Sequence, residues 1–280
     1  MSQINSNWFP GHMKKALNNL KEIIPKCDGV INIGDSRAPL SSLSNSFDEL
    51  TKNSVKINIY SKSDLTDLNR LNKILLEHKE LGDKPFIVDL NNQNSREKII
   101  NCLENIRTKK DEKFLSLNFP KPNKYYVVIG IPNVGKSTLI NLLSKNKKAK
   151  VENKPGLTRS EPLIKIKEKL YIYDSPGILE PNYQNKEVML KLALIGSVKD
   201  NIFPIDQLGS FLFSHLNKIY PNLLKDKYQI DVNDYSSFFE KLAENKKMCL
   251  NNGVLDINRA ISFVINELRN GKLGKICLDE

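Results

Sequence analysis

Gly130-Ile131-Pro132-Asn133-Val134-Gly135-Lys136-Ser137-Thr138 reads G-x-x-x-x-G-K-S. It follows Tyr125-Tyr126-Val127-Val128-Ile129, a β-branched and aromatic run that predicts a strand. It precedes Leu139-Ile140-Asn141-Leu142-Leu143, which starts like a helix. Strand, glycine-rich turn and helix N-terminus are the context in which this pattern binds phosphates. Glycines let backbone N–H groups curl around an anion, and the helix dipole favours negative charge at the same point. The stretch therefore predicts a nucleoside-triphosphate site built from Asn133, Val134, Gly135, Lys136, Ser137 and Thr138. Lys136 would reach the β- and γ-phosphates, and the Ser137 hydroxyl would ligate Mg²⁺. A glycine-rich turn with a capping serine is the bland alternative, and the flanks argue against it.

Downstream, Lys169 to Tyr173 predicts a strand ending at Asp174-Ser175-Pro176-Gly177, a D-x-x-G. At a strand end some forty residues beyond the loop, such an aspartate would hold Mg²⁺ through water. The Gly177 N–H would then sense the γ-phosphate. Thr158, in the Pro155-Gly156-Leu157-Thr158 turn between the two motifs, would complete the Mg²⁺ shell. Upstream, Ser61-Lys62-Ser63-Asp64 resembles the N-K-x-D or T-K-x-D of guanine readers, with serine at the first position. A carboxylate at Asp64 accepts from the two donors of guanine, the Lys62 stem covers the ring, and Ser61 could add a hydroxyl. The loop beginning at Asp89 would supply the remaining base contact.

The rest of the chain alternates. Met13 to Ile24 carries apolar residues at helical spacing, and Gly29 to Gly34 reads as a buried strand. The Asp35-Ser36-Arg37-Ala38-Pro39 turn that follows reads either as near a site, at a strand's carboxyl end, or as a salt-bridged turn. Val55 to Tyr60 and Pro85 to Leu90 predict two more strands, separated by a helix from about Asp67 to Leu81. Ser95 to Ile106 looks helical, and Thr108 to Asn123, charged and proline-bearing, reads as a linker. Leu163 to Ile166 pairs naturally with 169–173 across a charged turn. Such alternation predicts an α/β, doubly wound sheet. From about Lys186 the pattern is helical only, predicting a small all-α C-terminal domain over 186–280 behind a first domain of 1–185. His215 lies on an apolar stripe there and reads as a core histidine.

The chain has 280 residues, 43 basic against 32 acidic, and a net charge of +11. Such an excess fits a polyanionic partner or a merely soluble surface. The four cysteines are dispersed, which speaks against a zinc site or a disulfide framework. Neither a signal pattern nor a membrane-length apolar run is present, so a cytoplasmic protein without a membrane role is expected.

Motif order is the decisive peculiarity: the base-reading motif precedes the phosphate loop instead of following it. With the Trp8-Phe9-Pro10-Gly11-His12-Met13 opening, the Asp35 to Pro39 turn, Gly130 to Thr138, Pro155 to Thr158 and Asp174 to Gly177, the chain resembles the ribosome biogenesis GTPase A family. The likeness covers nearly its whole length. It implies a circularly permuted P-loop GTPase that binds GTP/GDP and Mg²⁺ and acts on the immature large ribosomal subunit, released by hydrolysis. Ribosomal RNA would be the main partner, the helical tail would bind it, and the protein would be monomeric away from the ribosome. Ras-type enzymes orient water with a glutamine after D-x-x-G. Ile178 stands there instead, and the resemblance implies that His12 takes the role, with 1–12 as an extension ordered by RNA. Asn133 further resembles the asparagine of potassium-activated GTPases, implying K⁺; a turn asparagine is the plain alternative. A different class, a nucleotide-binding RNA module serving as an assembly placeholder with little catalysis, stays open beside the enzyme. So does another P-loop GTPase working on tRNA or at a membrane, although no anchor is present.

Overall fold

The computed structural model describes residues 11–43, 48–52, 54–78, 85–145, 162–179, 185–251 and 253–280. Its elements in chain order begin with α1 (Gly11–Ile23), β1 (Gly29–Asp35), α2 (Pro39–Ser42), α3 (Asp48–Thr51), β2 (Val55–Ser61) and α4 (Leu68–Glu77). They continue with β3 (Phe86–Ile87), α5 (Asn94–Asn105), α6 (Lys109–Ser116), β4 (Lys124–Ile129), α7 (Lys136–Ser144), β5 (Leu163–Lys167) and β6 (Leu170–Tyr173). Helices only follow: α8 (Lys186–Leu194), α9 (Ile205–Ile219), α10 (Leu223–Tyr228), α11 (Tyr235–Asn245) and α12 (Ile257–Arg269).

The strands form one sheet in the order β3-β2-β1-β4-β6-β5, parallel except for the β5–β6 hairpin. Strand side chains alternate between faces, and both faces are buried, which explains the near-continuous apolar runs in the sequence. Ile31, Ile33, Tyr126, Val128, Leu170 and Ile172 point to the face covered by α5 and α7. Val30, Val127, Ile129, Tyr171 and Tyr173 point to the opposite face, where Ala16, Leu20 and Ile23 of α1 close over them. This is the doubly wound α/β sheet that the alternation predicts. The carboxyl ends of β2, β1, β4 and β6 lie side by side. The base-reading, Asp35, glycine-rich and D-x-x-G segments therefore meet at one rim, whatever their order along the chain.

The first apolar cluster continues without a break from the sheet into α8, α9, α11 and α12. Helix ends there follow local chemistry. The Asn185, Asp234 and Asp256 side chains accept backbone N–H groups at the starts of α8, α11 and α12. Phe213, Tyr228, Phe238 and Phe239 meet mostly edge to face inside the bundle. Among the described residues no helix is long and apolar enough to cross a membrane.

Several elements depart from the sequence reading, among them the short α2 and α3, which no periodic pattern announces. The stretch expected as a linker holds α6, started by a capping box in which the Thr108 side chain and the Asp111 carboxylate satisfy each other's backbone N–H groups. Lys124 fixes this helix to the sheet by an ion pair with Asp111 at 2.9 Å. The third strand pairs only over Phe86–Ile87, because the Asp89 carboxylate accepts the Asn91 N–H and turns the chain. The short α10 carries no periodic signal that would announce it.

Candidate functional site

The glycine-rich segment leaves β4 at Gly130 and enters α7 at Lys136. A Cβ on Gly130 would stand 2.5 Å from the Ile33 carbonyl oxygen, so only glycine lets this loop cross β1. Asn133 takes a left-handed φ of 61°, which asparagine tolerates better than most residues. The Lys136 amine folds back onto the Gly130 and Ile131 carbonyls at 3.1 and 2.6 Å. Burial lowers its pKa to about 8, against the pull of Asp174.

The D-x-x-G segment is stitched to the same loop. Ser175 donates to the Val128 carbonyl at 2.5 Å, and the Ile178 N–H reaches Gly130 at 3.3 Å. A Cβ on Gly177 would lie 2.8 Å from Pro132 Cα, so a side chain there would push the two segments apart. Ile178 is buried in the cluster that holds α1, an apolar residue where Ras-type enzymes place glutamine.

Between these segments opens a cleft of about 780 Å³ lined by Lys62, Asn133, Lys136, Ser137, Asp174 and Gly177, among others. A smaller pocket of about 220 Å³ adjoins it, lined by Ser61, Lys62, Asp64, Asp89, Leu90 and Asn91. Both share Lys62, Gly135 and Thr138. The Ser137 hydroxyl and the Asp174 carboxylate line the same cleft, and burial raises the Asp174 pKa, partly countered by Lys136. A divalent cation would offset that penalty, so this donor pair fits Mg²⁺. No three His, Cys, Asp or Glu among the described residues cluster as a metal centre on their own.

Lys62, Asp64, Asp89, Asn133, Gly135, Lys136, Ser137, Thr138, Asp174 and Gly177 line the two cavities. Val134 is buried beneath the loop. Ser61 is fully buried and donates to the Val134 and Gly34 carbonyls at 2.5 and 3.1 Å. It thus props the glycine-rich loop from below. The Asp89 carboxylate turns its own loop, leaving Asp64 as the exposed carboxylate of the small pocket. Thr158 and Trp8 to Pro10 lie outside the described residues, and of position 12 only its place in α1 is described.

The Asp35 turn proves to be both of its readings at once. Arg37 forks onto Asp35 at 2.9 and 2.7 Å, and Lys62 reaches the same carboxylate at 2.8 Å. Lys62 also donates to the Asn133 carbonyl at 2.9 Å, tying the segment after β2 to the glycine-rich loop. Burial alone would raise the Asp35 pKa, yet Arg37 and Lys62 hold it below the usual carboxylate range. Sequence reasoning had no means of seeing Asp35 as the partner of Lys62, because 27 residues separate them.

Comparison with known proteins places this geometry among named relatives. The family profile described as 50S ribosome-binding GTPase matches residues 125–251. The chain is 32% identical over 275 residues to a Bacillus cereus protein named Ribosome biogenesis GTPase A, covering 97% of this chain and 93% of that one. It is 31% identical to the Schizosaccharomyces pombe protein named Mitochondrial GTPase 1, covering 99% and 90%. A GNP-bound YlqF structure from T. maritima superposes with a TM-score of 0.67 at 22% identity, covering 95% of this chain and 98% of that one. That likeness speaks to the fold.

Proposed function

The chain belongs to the ribosome biogenesis GTPase A family and is a GTPase of ribosome assembly; from that premise we propose that it hydrolyses GTP on the immature large subunit and leaves afterwards. The observation that carries this reading is the pair of adjoining cavities, one lined by Asp64 and one by Lys136, Ser137, Asp174 and Gly177. A base and its phosphates fit the two together.

In this reading Asp64 accepts from guanine, and Lys62 packs its stem on the ring while its amine keeps the Asn133 carbonyl in register. Lys136 leaves the loop carbonyls for the β- and γ-phosphates, regaining as partner the charge that burial now penalises. The Gly177 N–H points at the γ-phosphate. Ser137, Asp174 and Thr158 would hold Mg²⁺, which would neutralise phosphate charge there. Ile178 offers no polar group to a nucleophile, which supports His12 as the residue that orients water. Helix α1, to which position 12 belongs, shares its apolar cluster with Ile178. Asn133 would help hold K⁺ beside the phosphates. Residues 186–280 act as the rRNA-binding part, 1–185 as the permuted GTPase, and the free protein is a cytoplasmic monomer.

The test is multiple-turnover hydrolysis with and without purified immature large subunits, with ATP as control and in K⁺ or Na⁺ buffers. Expected is GTP-selective turnover, stimulated by subunits and by K⁺, with stimulation lost in His12→Ala while GTP binding persists. Binding without stimulated turnover would favour the second reading, an assembly placeholder, which the buried apolar Ile178 keeps in view. Equal rates in K⁺ and Na⁺ would remove the cation from the scheme.

A further inference from the structure

Helix α8 ends in a Schellman turn: the Gly196 N–H bonds the Ala193 carbonyl, and the Ser197 N–H bonds the Leu192 carbonyl. Gly196 sits at φ +80°, the left-handed conformation that closes such a turn. The carbonyls at this helix end are then taken, one after another, by side chains from elsewhere. Arg269 of α12 donates to Ala193 at 2.7 Å and Leu194 at 3.1 Å. Arg37, from the turn after β1, donates to Ile195 at 3.2 Å and to the Arg269 carbonyl at 3.1 Å. Asn133, from the phosphate loop, donates to Gly196 at 2.8 Å. Two guanidiniums at a helix C-terminus also suit its dipole.

We propose that this row of carbonyls is the joint through which the nucleotide site and the helical tail sense each other, with Arg37 and Asn133 as its positioning residues. The inference rests on the GTPase reading above and deepens it. Arg37 is the pivot. One guanidinium clamps Asp35, which holds Lys62 against the Asn133 carbonyl, and the same guanidinium grips the ends of α8 and α12. Asn133 closes the circuit, since its carbonyl receives Lys62 and its amide holds Gly196. Neither residue can shift with the loop and leave the helix end untouched. Nucleotide that reshapes the loop must either carry α8 with it or break the Asn133–Gly196 bond, and RNA that moves the tail must act on the loop in turn. Equilibrium coupling of this kind is reciprocal.

The experiment is hydrogen–deuterium exchange on the full chain, free and with GDP or a non-hydrolysable GTP analogue, with nucleotide binding followed by fluorescence on the same samples. In wild type, exchange across 193–199 should differ between free and analogue-bound protein by about fivefold or more, the lower end of ordinary coupling between sites. Arg37→Lys keeps a cation for Asp35 but lacks the fork that reaches both helices, so it should bind nucleotide and lose the change at 193–199. Gly196→Ala has room, its Cβ lying 3.5 Å from Arg269 Nε, but is strained at that φ. It should lose the change too, and serves if Arg37→Lys does not fold. Binding with no change at 193–199 in wild type overturns the joint alone. Retention of the change in Arg37→Lys also overturns it, since charge on Asp35 would then be all that Arg37 provides. Failure of wild type to bind guanine nucleotide would overturn the functional reading and the joint with it.

Discussion

Ser61 shows how a single position can look like a defect and be a support. Its hydroxyl is the donor to the buried Val134 and Gly34 carbonyls. Removing a buried donor leaves its acceptors desolvated and costs about 1–3 kcal/mol. Ser61→Ala should therefore lower unfolding stability by that amount in urea titration, and weaken nucleotide binding by fluorescence through a looser loop. Unchanged stability would mean that the hydroxyl is not needed there. Asp35 gives a pH signature. Its folded pKa lies below the ordinary 3.8, so its contribution is fully present above about pH 4 and is lost as pH falls through the folded value. Asp35→Asn leaves Arg37 and Lys62 without their counter-charge, a loss on the order of 3–5 kcal/mol near neutrality. The gap between wild type and Asp35→Asn should narrow in unfolding experiments carried into acid; a gap that is constant with pH would contradict the assignment. The residues lining the cavities were legible in the sequence because they fall within short motifs of fixed residue type and spacing. The links from Lys62 to Asp35 and from Arg37 to Ile195 and Arg269 were not, since they join residues distant in the chain.

At the scale of elements, periodicity announced the sheet and most helices, and it failed where local chemistry decided instead. Prolines and charge suggested a linker, whereas the Thr108–Asp111 capping box, itself visible in the sequence, starts α6. The segment after α12 illustrates a different kind of hidden order. The Leu278 N–H bonds the Arg37 carbonyl, and the Asp279 carboxylate accepts from the Leu40 and Ser41 N–H groups at the start of α2. His215 on α9 supports this strap through Nε2 and the Leu278 carbonyl, 2.6 Å apart, with Phe211 stacked on its ring. Burial lowers the His215 pKa from the ordinary 6.5, outweighing the Leu278 carbonyl, which favours the charged ring. The unfolded chain therefore takes up its proton first, and stability should fall as pH drops below about 6.5. His215→Gln, which keeps an N–H donor but does not titrate, should flatten the melting temperature between about pH 6.5 and pH 5. An unaltered slope would show that another group is responsible.

For the whole molecule, the net charge of +11 gives the proposed RNA partner a direct test. Binding of the large subunit should weaken steeply as salt rises, with a log–log slope of several units. A slope near zero in a filter-binding or sedimentation series would exclude RNA backbone as the main partner. The order of the sheet also has a consequence for biosynthesis. Strand β1 sits between β2, which is made soon after it, and β4, which is made roughly a hundred residues later. Arg37 waits longer still, for Ile195, Arg269 and finally Leu278. At about 5–20 residues per second that interval is on the order of 10–50 s. Early in it the nascent chain has β1 and β2 without the glycine-rich and D-x-x-G segments, and throughout it neither half is yet clamped to a complete tail. A polypeptide interrupted before this point is expected to lack a settled nucleotide site, so incomplete copies would not compete with finished ones for the particles they assemble.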